Sequence, residues 1–459
     1  MINQNSKNMA HKINSELFTI PLDNNKYIIY APLRRAAFVG NSDMVNFIAK
    51  FQNGEYSGET DMDGSLLEFL RRIDIADGIP EQAPLSVFSG IPKPTTITLF
   101  LTTACNLRCT YCYASAGDTP LKSMTFEIAK RGIDFVLKNA IESKTDLITI
   151  NYHGGGEPTT NWKVLVDSFN YATEEAFKYG INISGSTASN GVLTESQISW
   201  IIENLNGGVS LSFDGLPSMH DKHRKTISGK GSSEKVIHTI KRFDEADYNY
   251  GIRITVTDDQ ISELPKAIEY LSMNFRMKKV QVEPAYQMGR WKDAPTAETS
   301  AFITNYRKAK EIAGKQGIDI SFSTARIDNV TNHFCGITQD TFALSPDGNV
   351  SACYEVFSEE NEFSDVFFYG TPKEESRGYN FNLDVLNNLR NKVVNNHKYC
   401  EGCYAKWHCA GDCYHKSLTV NGRTKFQGSD RCHITRELTK DLILKKIKDS
   451  GGYFWHEEY

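Results

Sequence analysis

The 459-residue sequence has no surplus of positive charge, no long apolar run, no internal repeat and no low-complexity segment. Its formal net charge of -5 leaves no basic footprint for a nucleic-acid partner. No stretch approaches the roughly 20 apolar residues needed to span a bilayer, and the opening MINQNSKNMAHKINSELF lacks the apolar core of a secretory signal. These absences predict a soluble, cytoplasmic protein with neither a membrane nor a nucleic-acid partner. Cysteine too is missing from long parts of the chain: none precedes Cys105 and none falls between Cys112 and Cys335. In a reducing compartment the ten cysteines that do occur read as metal ligands rather than disulfides.

Three of the ten, Cys105, Cys109 and Cys112, sit in TTACNLRCTYCYASAG with no fourth nearby. A structural zinc site or an ordinary electron-transfer cluster closes four ligands. Three thiolates on one tight loop leave a metal position open to a ligand or substrate. The other seven follow the order Cys335-x12-Gly348-x4-Cys353, then Cys400-x2-Cys403-x5-Cys409-x3-Cys413-x18-Cys432.

Hydrophobic patterning predicts strands at 95–102, 147–153, 182–187, 208–213, 251–257 and 279–284, with helical runs such as TFEIAKRGIDFVLKNAI and SSEKVIHTIKRFDEA between them. Six strand–helix units imply an α/β fold with a parallel sheet, open or curled into a partial barrel. Such folds carry their chemistry at the C-terminal ends of the strands. The cysteine loop follows the first strand, HGGGEP the second and ASNG the third, and SFDG ends the fourth, so all four motifs fall on one rim. Upstream, ELFTIPL, KYIIYAP and RRAAFVG read as three short strands. The helical runs DMVNFIAKF and SLLEFLRRI follow, on either side of the glycine-rich NGEYSGETDMDG. After about residue 320 short strands and turns are expected, with a mobile acidic stretch SEENEFSDVFFYGTPKEESRGYN and a closing helix RELTKDLILKKIKDS. The expected organisation is an N-terminal module over 1–92, a barrel over 93–318, a cysteine-rich domain over 319–435 and a C-terminal helix over 436–459.

The Cys-x3-Cys-x2-Cys loop after the first strand resembles the radical S-adenosylmethionine (SAM) superfamily. The resemblance implies a 4Fe-4S cluster on Cys105, Cys109 and Cys112, with SAM chelating the open iron. One-electron cleavage would give a 5'-deoxyadenosyl radical that abstracts hydrogen from substrate. Gly154, Gly155, Gly156 and Glu157 would approach the SAM amino group, the glycines offering backbone and Glu157 a carboxylate. VSLSFDGLPSMHDKHRKTISGKGS resembles the peptide-modifying branch, which places Ser212 and Arg224 at the SAM carboxylate or ribose and Tyr111 at adenine. Ser189 and Asn190 of ASNG, and Arg253 of GIRITV, would line the same pocket.

The seven-cysteine order resembles the SPASM domain, which binds two auxiliary 4Fe-4S clusters, making three in all. By that resemblance Cys400, Cys403, Cys409 and Cys432 close one, while Cys335, Cys353 and Cys413 hold the other, whose fourth ligand would be a non-cysteine group such as His333 or a substrate thiolate. An electron donor such as flavodoxin or ferredoxin is implied. Anaerobic sulfatase maturases carry an Asp directly after the second of these cysteines; here that position is Tyr354, followed by Glu355. A phenol with a pKa near ~10 is a poor base, and Glu355 would face away if the segment were a strand. Tyr354, Glu355, Glu283 and Tyr286 are the candidate proton acceptors. Peptide maturases that install thioether or carbon–carbon crosslinks often carry an N-terminal winged-helix-like module that captures a leader peptide as an added strand, and residues 15–75 resemble that order. The expectation is a peptide maturase of this kind, with sulfatase maturation as the alternative enzyme and a non-catalytic zinc scaffold as the alternative from another class.

Overall fold

The computed structural model describes residue 13 and residues 15–53, 61–85, 88–118, 120–374, 377–423 and 426–454. Among them, β1 (Phe18–Pro21), β2 (Lys26–Ala31) and β3 (Ala36–Asn41) form an antiparallel sheet. Two helices follow, Ser42–Gln52 and Asp61–Arg72. The Asn41 side chain starts the first by accepting the Met44 amide at 3.0 Å. Phe47, Phe51, Leu67 and Leu70 then bury against Ile29 and Phe38, which gives this module a core of its own. The glycine-rich stretch expected between the two helices lies for the most part outside the described residues.

The central sheet contains β4 (Thr96–Leu99), β5 (Leu147–Tyr152), β6 (Asn182–Ser189), β7 (Gly208–Ser212), β8 (Tyr250–Val256), β9 (Lys279–Pro284) and β10 (Asp319–Ser321), parallel and in chain order. The six expected strands are present. A seventh, β10, begins just after residue 318, so the parallel sheet runs past the expected barrel boundary. Ile148, Ile150 and Tyr152 on β5, and Ile252, Ile254 and Val256 on β8, are buried against a core shared with the flanking helices. Their alternating neighbours Thr149, Asn151, Arg253 and Thr255 are only half-buried. Because side chains alternate along a strand, one sheet face is apolar and covered by helices such as Phe126–Ser143, and the other is polar. Thr125 caps that helix, and a Thr194–Gln197 capping box starts Glu195–Asn204. The loops that precede these helices are thereby gathered at the C-terminal ends of the strands.

The cysteine-rich region extends this sheet instead of standing apart from it. Its β11 (Ala343–Leu344) pairs in parallel with β4, and β12 (Val350–Ser351), β13 (Phe368–Pro372) and β14 (Tyr379–Phe381) add antiparallel, which makes 11 strands. The acidic stretch expected to be mobile supplies β13, β14 and the short helix Ser364–Phe367. Its aromatics outweigh its charges: Phe367, Tyr369 and Tyr379 are buried, and Tyr369 stacks on Phe381. The closing helix runs Asp430–Asp449, starting before residue 436 and carrying Cys432 in its first turn. The chain then returns as β15 (Tyr453–Phe454), which pairs with β3, so the tail is not a helix alone. Ile443, Ile447 and Phe454 pack on Ile20, Ile28 and Tyr30. Among the described residues no helix is long and apolar enough to cross a membrane.

Candidate active site

Cys105, Cys109 and Cys112 lie on the loop after β4, all as free thiols, and each of Cys105 and Cys109 is close enough to feel the charge of the other two. Burial pushes Cys105 up to about 12, with the nearby Glu157 carboxylate adding to it, and Cys109 to about 11 even though Arg224 opposes the rise. Alone, these groups stay protonated at neutral pH; iron coordination is what favours the thiolate there. Three thiols on one loop, within electrostatic reach of one another, suit a cluster that keeps one iron open.

HGGGEP comes against this loop because its glycines permit it. The Gly156 amide donates to the Thr102 carbonyl and the Glu157 amide to the Ala104 carbonyl, both at 2.8 Å. A Cβ at Gly156 would lie 1.8 Å from the Ala104 oxygen, which no side chain tolerates. Gly154 has φ +80°, and a Cβ there would meet the Phe100 ring at 2.5 Å. Glu157 is buried; it accepts the Asn190 amide at 2.7 Å and the hydroxyls of Thr159 at 2.8 Å and Ser189 at 3.0 Å. These donors already hold the carboxylate expected to meet an ammonium, and burial raises its pKa in spite of them. The Asn190 amide group reaches the Asn106 side chain at 2.7 Å and Cys105 Sγ at 3.6 Å, so ASNG positions the first cysteine.

Arg224 is buried beside the loop. Its Nε donates to Asp214 at 3.1 Å, its guanidinium lies 5.1 Å over the Tyr111 ring, and it comes within 3.9 Å of Cys109 Sγ. The Tyr111 hydroxyl donates to the same Asp214. The two residues expected at adenine and at the SAM carboxylate are therefore bound to each other around Asp214, which sequence reasoning passed over although it stands in SFDG. The side chains of Ser212 and Arg253, side by side on β7 and β8, make no hydrogen bond or ion pair among the described residues. Both remain available to a ligand.

The seven later cysteines lie in two neighbourhoods. Cys400, Cys403, Cys409 and Cys432 feel one another's charge, as do Cys335, Cys353 and Cys413. Each thiol of the three-membered group also feels Glu355, whereas His333 hydrogen-bonds with Thr331 and Gln339. The residues after Ser351 form a turn, not a strand, so the expectation that Glu355 faces away fails. Burial opposes its ionisation, but Lys416 and His415 outweigh that and lower it to about 2. Tyr354 reaches the barrel: its hydroxyl accepts from Thr98 at 3.2 Å and its ring lies 5.3 Å from that of His153. Glu283 on β9 is saturated by Arg431 at 2.8 Å, the Ser323 amide at 2.8 Å and the Tyr286 hydroxyl at 3.1 Å, which suits a clamp better than a base. Among the described residues no three His, Cys, Asp or Glu side chains close on a single-ion site. His153 was also missed. It ends β5 with its Nδ1 buried and unpartnered, and burial lowers its pKa to about 4, so the imidazole is neutral at pH 7.

The model of the radical SAM superfamily matches residues 99–271, which span the cysteine loop, Gly154–Glu157, Ser189–Asn190, Ser212, Arg224 and Arg253. Residues 99–271 carry a radical SAM domain. The chain is 24% identical over 364 residues to the cysteine-type anaerobic sulfatase-maturating enzyme of Clostridium novyi (strain NT), across 75% of this chain and 92% of that protein. It is 21% identical to the radical SAM cyclopropyl synthase TigE of Paramaledivibacter caminithermalis, across 96% of this chain and 93% of that one. Among solved structures, native anSMEcpe with bound AdoMet and Cp18Cys peptide superposes with a TM-score of 0.61 at 18% identity, covering 77% of this chain and 99% of its own, a likeness of fold. The radical SAM match ends at residue 271, before β9, so the N-terminal sheet and the cysteine-rich region lie outside it.

Proposed function

We propose that the chain is a radical SAM peptide maturase with three 4Fe-4S clusters, one on Cys105, Cys109 and Cys112 and two on the C-terminal cysteines. It would install a thioether or carbon–carbon crosslink in a ribosomally made peptide. The observation that carries this reading is the meeting of the two cysteine regions over one strand-end rim: Tyr354 bonds to Thr98 on β4, and Glu355 shares the field of Arg253 on β8. Cys105, Cys109 and Cys112 would hold a cluster that, with SAM bound, would supply one-electron cleavage of SAM and hydrogen abstraction from the substrate. The protein's own part is to bind and orient. Ser212 and Arg253 offer a hydroxyl and an unpaired cation to the SAM carboxylate, while the Arg224–Asp214–Tyr111 group holds the loop from behind. Neutral His153, whose Nδ1 has no hydrogen-bond partner among the described residues, would take up a proton released during oxidation, and ion-paired Glu355 would orient the groups beside it.

A second reading, formylglycine formation on a sulfatase, is supported by Glu355. Its carboxylate turns inward beside Cys353, close to where sulfatase maturases keep an aspartate. The experiment that separates the two is the intact mass of a short peptide encoded beside this gene, co-expressed anaerobically with the protein and measured before and after thiol alkylation. Loss of two hydrogens with a blocked cysteine means a thioether; the same loss with free or absent cysteines means a carbon–carbon link or side-chain oxidation. An unchanged mass, together with oxidation of a sulfatase-motif peptide, overturns the crosslink reading.

A further inference from the structure

The connection from β9 to helix Thr299–Lys315 passes over the cysteine loop and grips its backbone. The Arg290 amide donates to the Cys112 carbonyl at 3.1 Å. Its guanidinium donates to the Cys109 carbonyl at 3.0 Å, to the Ala116 carbonyl at 2.6 Å and to the Asp118 carboxylate at 2.5 Å. Gly289 makes this approach possible. It has φ +52°, and a Cβ there would lie 2.3 Å from the Cys112 oxygen and 2.4 Å from the Tyr113 oxygen. Arg290 is thus bonded to carbonyls at two of the three cysteines and at the far end of the loop, from a strand connection outside the matched domain. The guanidinium also lies close enough to feel the charge of Cys109 and Cys112.

We propose that Arg290 is a positioning residue that clamps the cysteine loop and, through its charge, sets how readily a cluster held there is reduced. The inference rests on the radical SAM reading of that loop. A 4Fe-4S cluster on three thiolates is anionic and becomes more so on gaining an electron, so a nearby cation favours the reduced state and a nearby anion disfavours it. Asp118, which pairs with Arg290, has a half-exposed side chain and works in the opposite sense. The pair therefore gives two changes of opposite sign at one place. A purely structural clamp would not do so.

The test is EPR-monitored potentiometry on anaerobically reconstituted full-length protein, following the signal that shifts when SAM is added. Arg290→Gln is expected to lower its midpoint potential, Arg290→Lys to restore part of the loss, and Asp118→Asn to raise it by a smaller amount. C-terminal signals, which do not respond to SAM, should stay unchanged. Unchanged midpoints, or shifts of the same sign in Arg290→Gln and Asp118→Asn, overturn the proposal. Should Arg290→Gln fail to take up iron, Asp118→Asn decides alone: a raised midpoint supports the clamp, and a lowered or unchanged one overturns it. A wild-type protein with no SAM-responsive signal overturns the radical SAM reading of the loop instead, so the two failures are told apart.

Discussion

Cys105, Cys109 and Cys112 come from one short loop, whereas the C-terminal seven are gathered from positions between Cys335 and Cys432. The loop needs little of its own sequence beyond the thiols, because groups from elsewhere hold it: Arg224 from the segment after β7, Arg290 from the segment after β9, and Asn190 at the end of β6. The C-terminal groups are held by buried charge. Arg431, in the same helix turn as Cys432, binds both Glu283 of β9 and Asp412 next to Cys413, each at 2.8 Å. Glu355, beside Cys353, pairs with His415 and Lys416 in the helix that follows Cys413. A local set of ligands can thus be kept open and accessible, while a dispersed set depends on a fixed frame of ion pairs.

The comparison breaks most completely at Cys105. Cys105→Ala should abolish SAM cleavage and remove roughly a third of the bound iron while leaving the C-terminal absorbance, as loss of one of the three proposed four-iron clusters requires. Iron analysis and a cleavage assay on anaerobic protein check both parts, and cleavage that survives sinks the assignment. On the other side, Arg431→Ala leaves Glu283 and Asp412 buried without their cation. That should cost about 3–5 kcal/mol in urea unfolding and disturb the C-terminal signals before the SAM-responsive one.

Acidity offers a gentler probe. Burial lowers His220, wedged between Phe213 and Ser232, to about 4. The unfolded chain protonates such a residue near ~6.5 and the folded one resists until much lower pH. The stability it contributes is present above the unfolded value and is lost as pH falls through the folded one. The urea midpoint should therefore drop from pH 7 to pH 5, and His220→Gln should flatten that slope. The smallest effect is expected at Arg307, which joins Thr299–Lys315 to the closing helix through Asp441 and Glu437. These partners are partly exposed, so Arg307→Gln should cost under about 1 kcal/mol, and less still in high salt.

What was legible in the sequence tracks this division between local and distant. Strand alternation located six of the parallel strands, and the placing of HGGGEP, ASNG and SFDG after them followed from strand-end logic. Residues whose partners lie far along the chain left no such trace. Nothing in MGRW marks Arg290 as a clamp on a loop far upstream, and the turn that brings Glu355 to His415 and Lys416 has no signal in the sequence. The extension of the barrel sheet through β11 was equally hidden, since a two-residue strand carries no periodicity. Tyr111 and Arg224 were singled out as SAM contacts, but their mutual contact through Asp214 needs three dimensions.

The pairing of β15 with β3 has a consequence for synthesis. The first sheet to leave the ribosome takes its last strand from residues 453 and 454. At roughly 5–20 residues per second the nascent module waits tens of seconds with the β3 edge unpaired. During that interval Ile28 and Tyr30 lack the cover that Phe454 and Ile447 later give. An exposed strand edge of this kind invites pairing with other chains, so the quality of expressed protein should depend on how long the chain spends between its first sheet and its final two dozen residues. Slowing translation near the 3' end of the message would lengthen that exposure without altering a single amino acid.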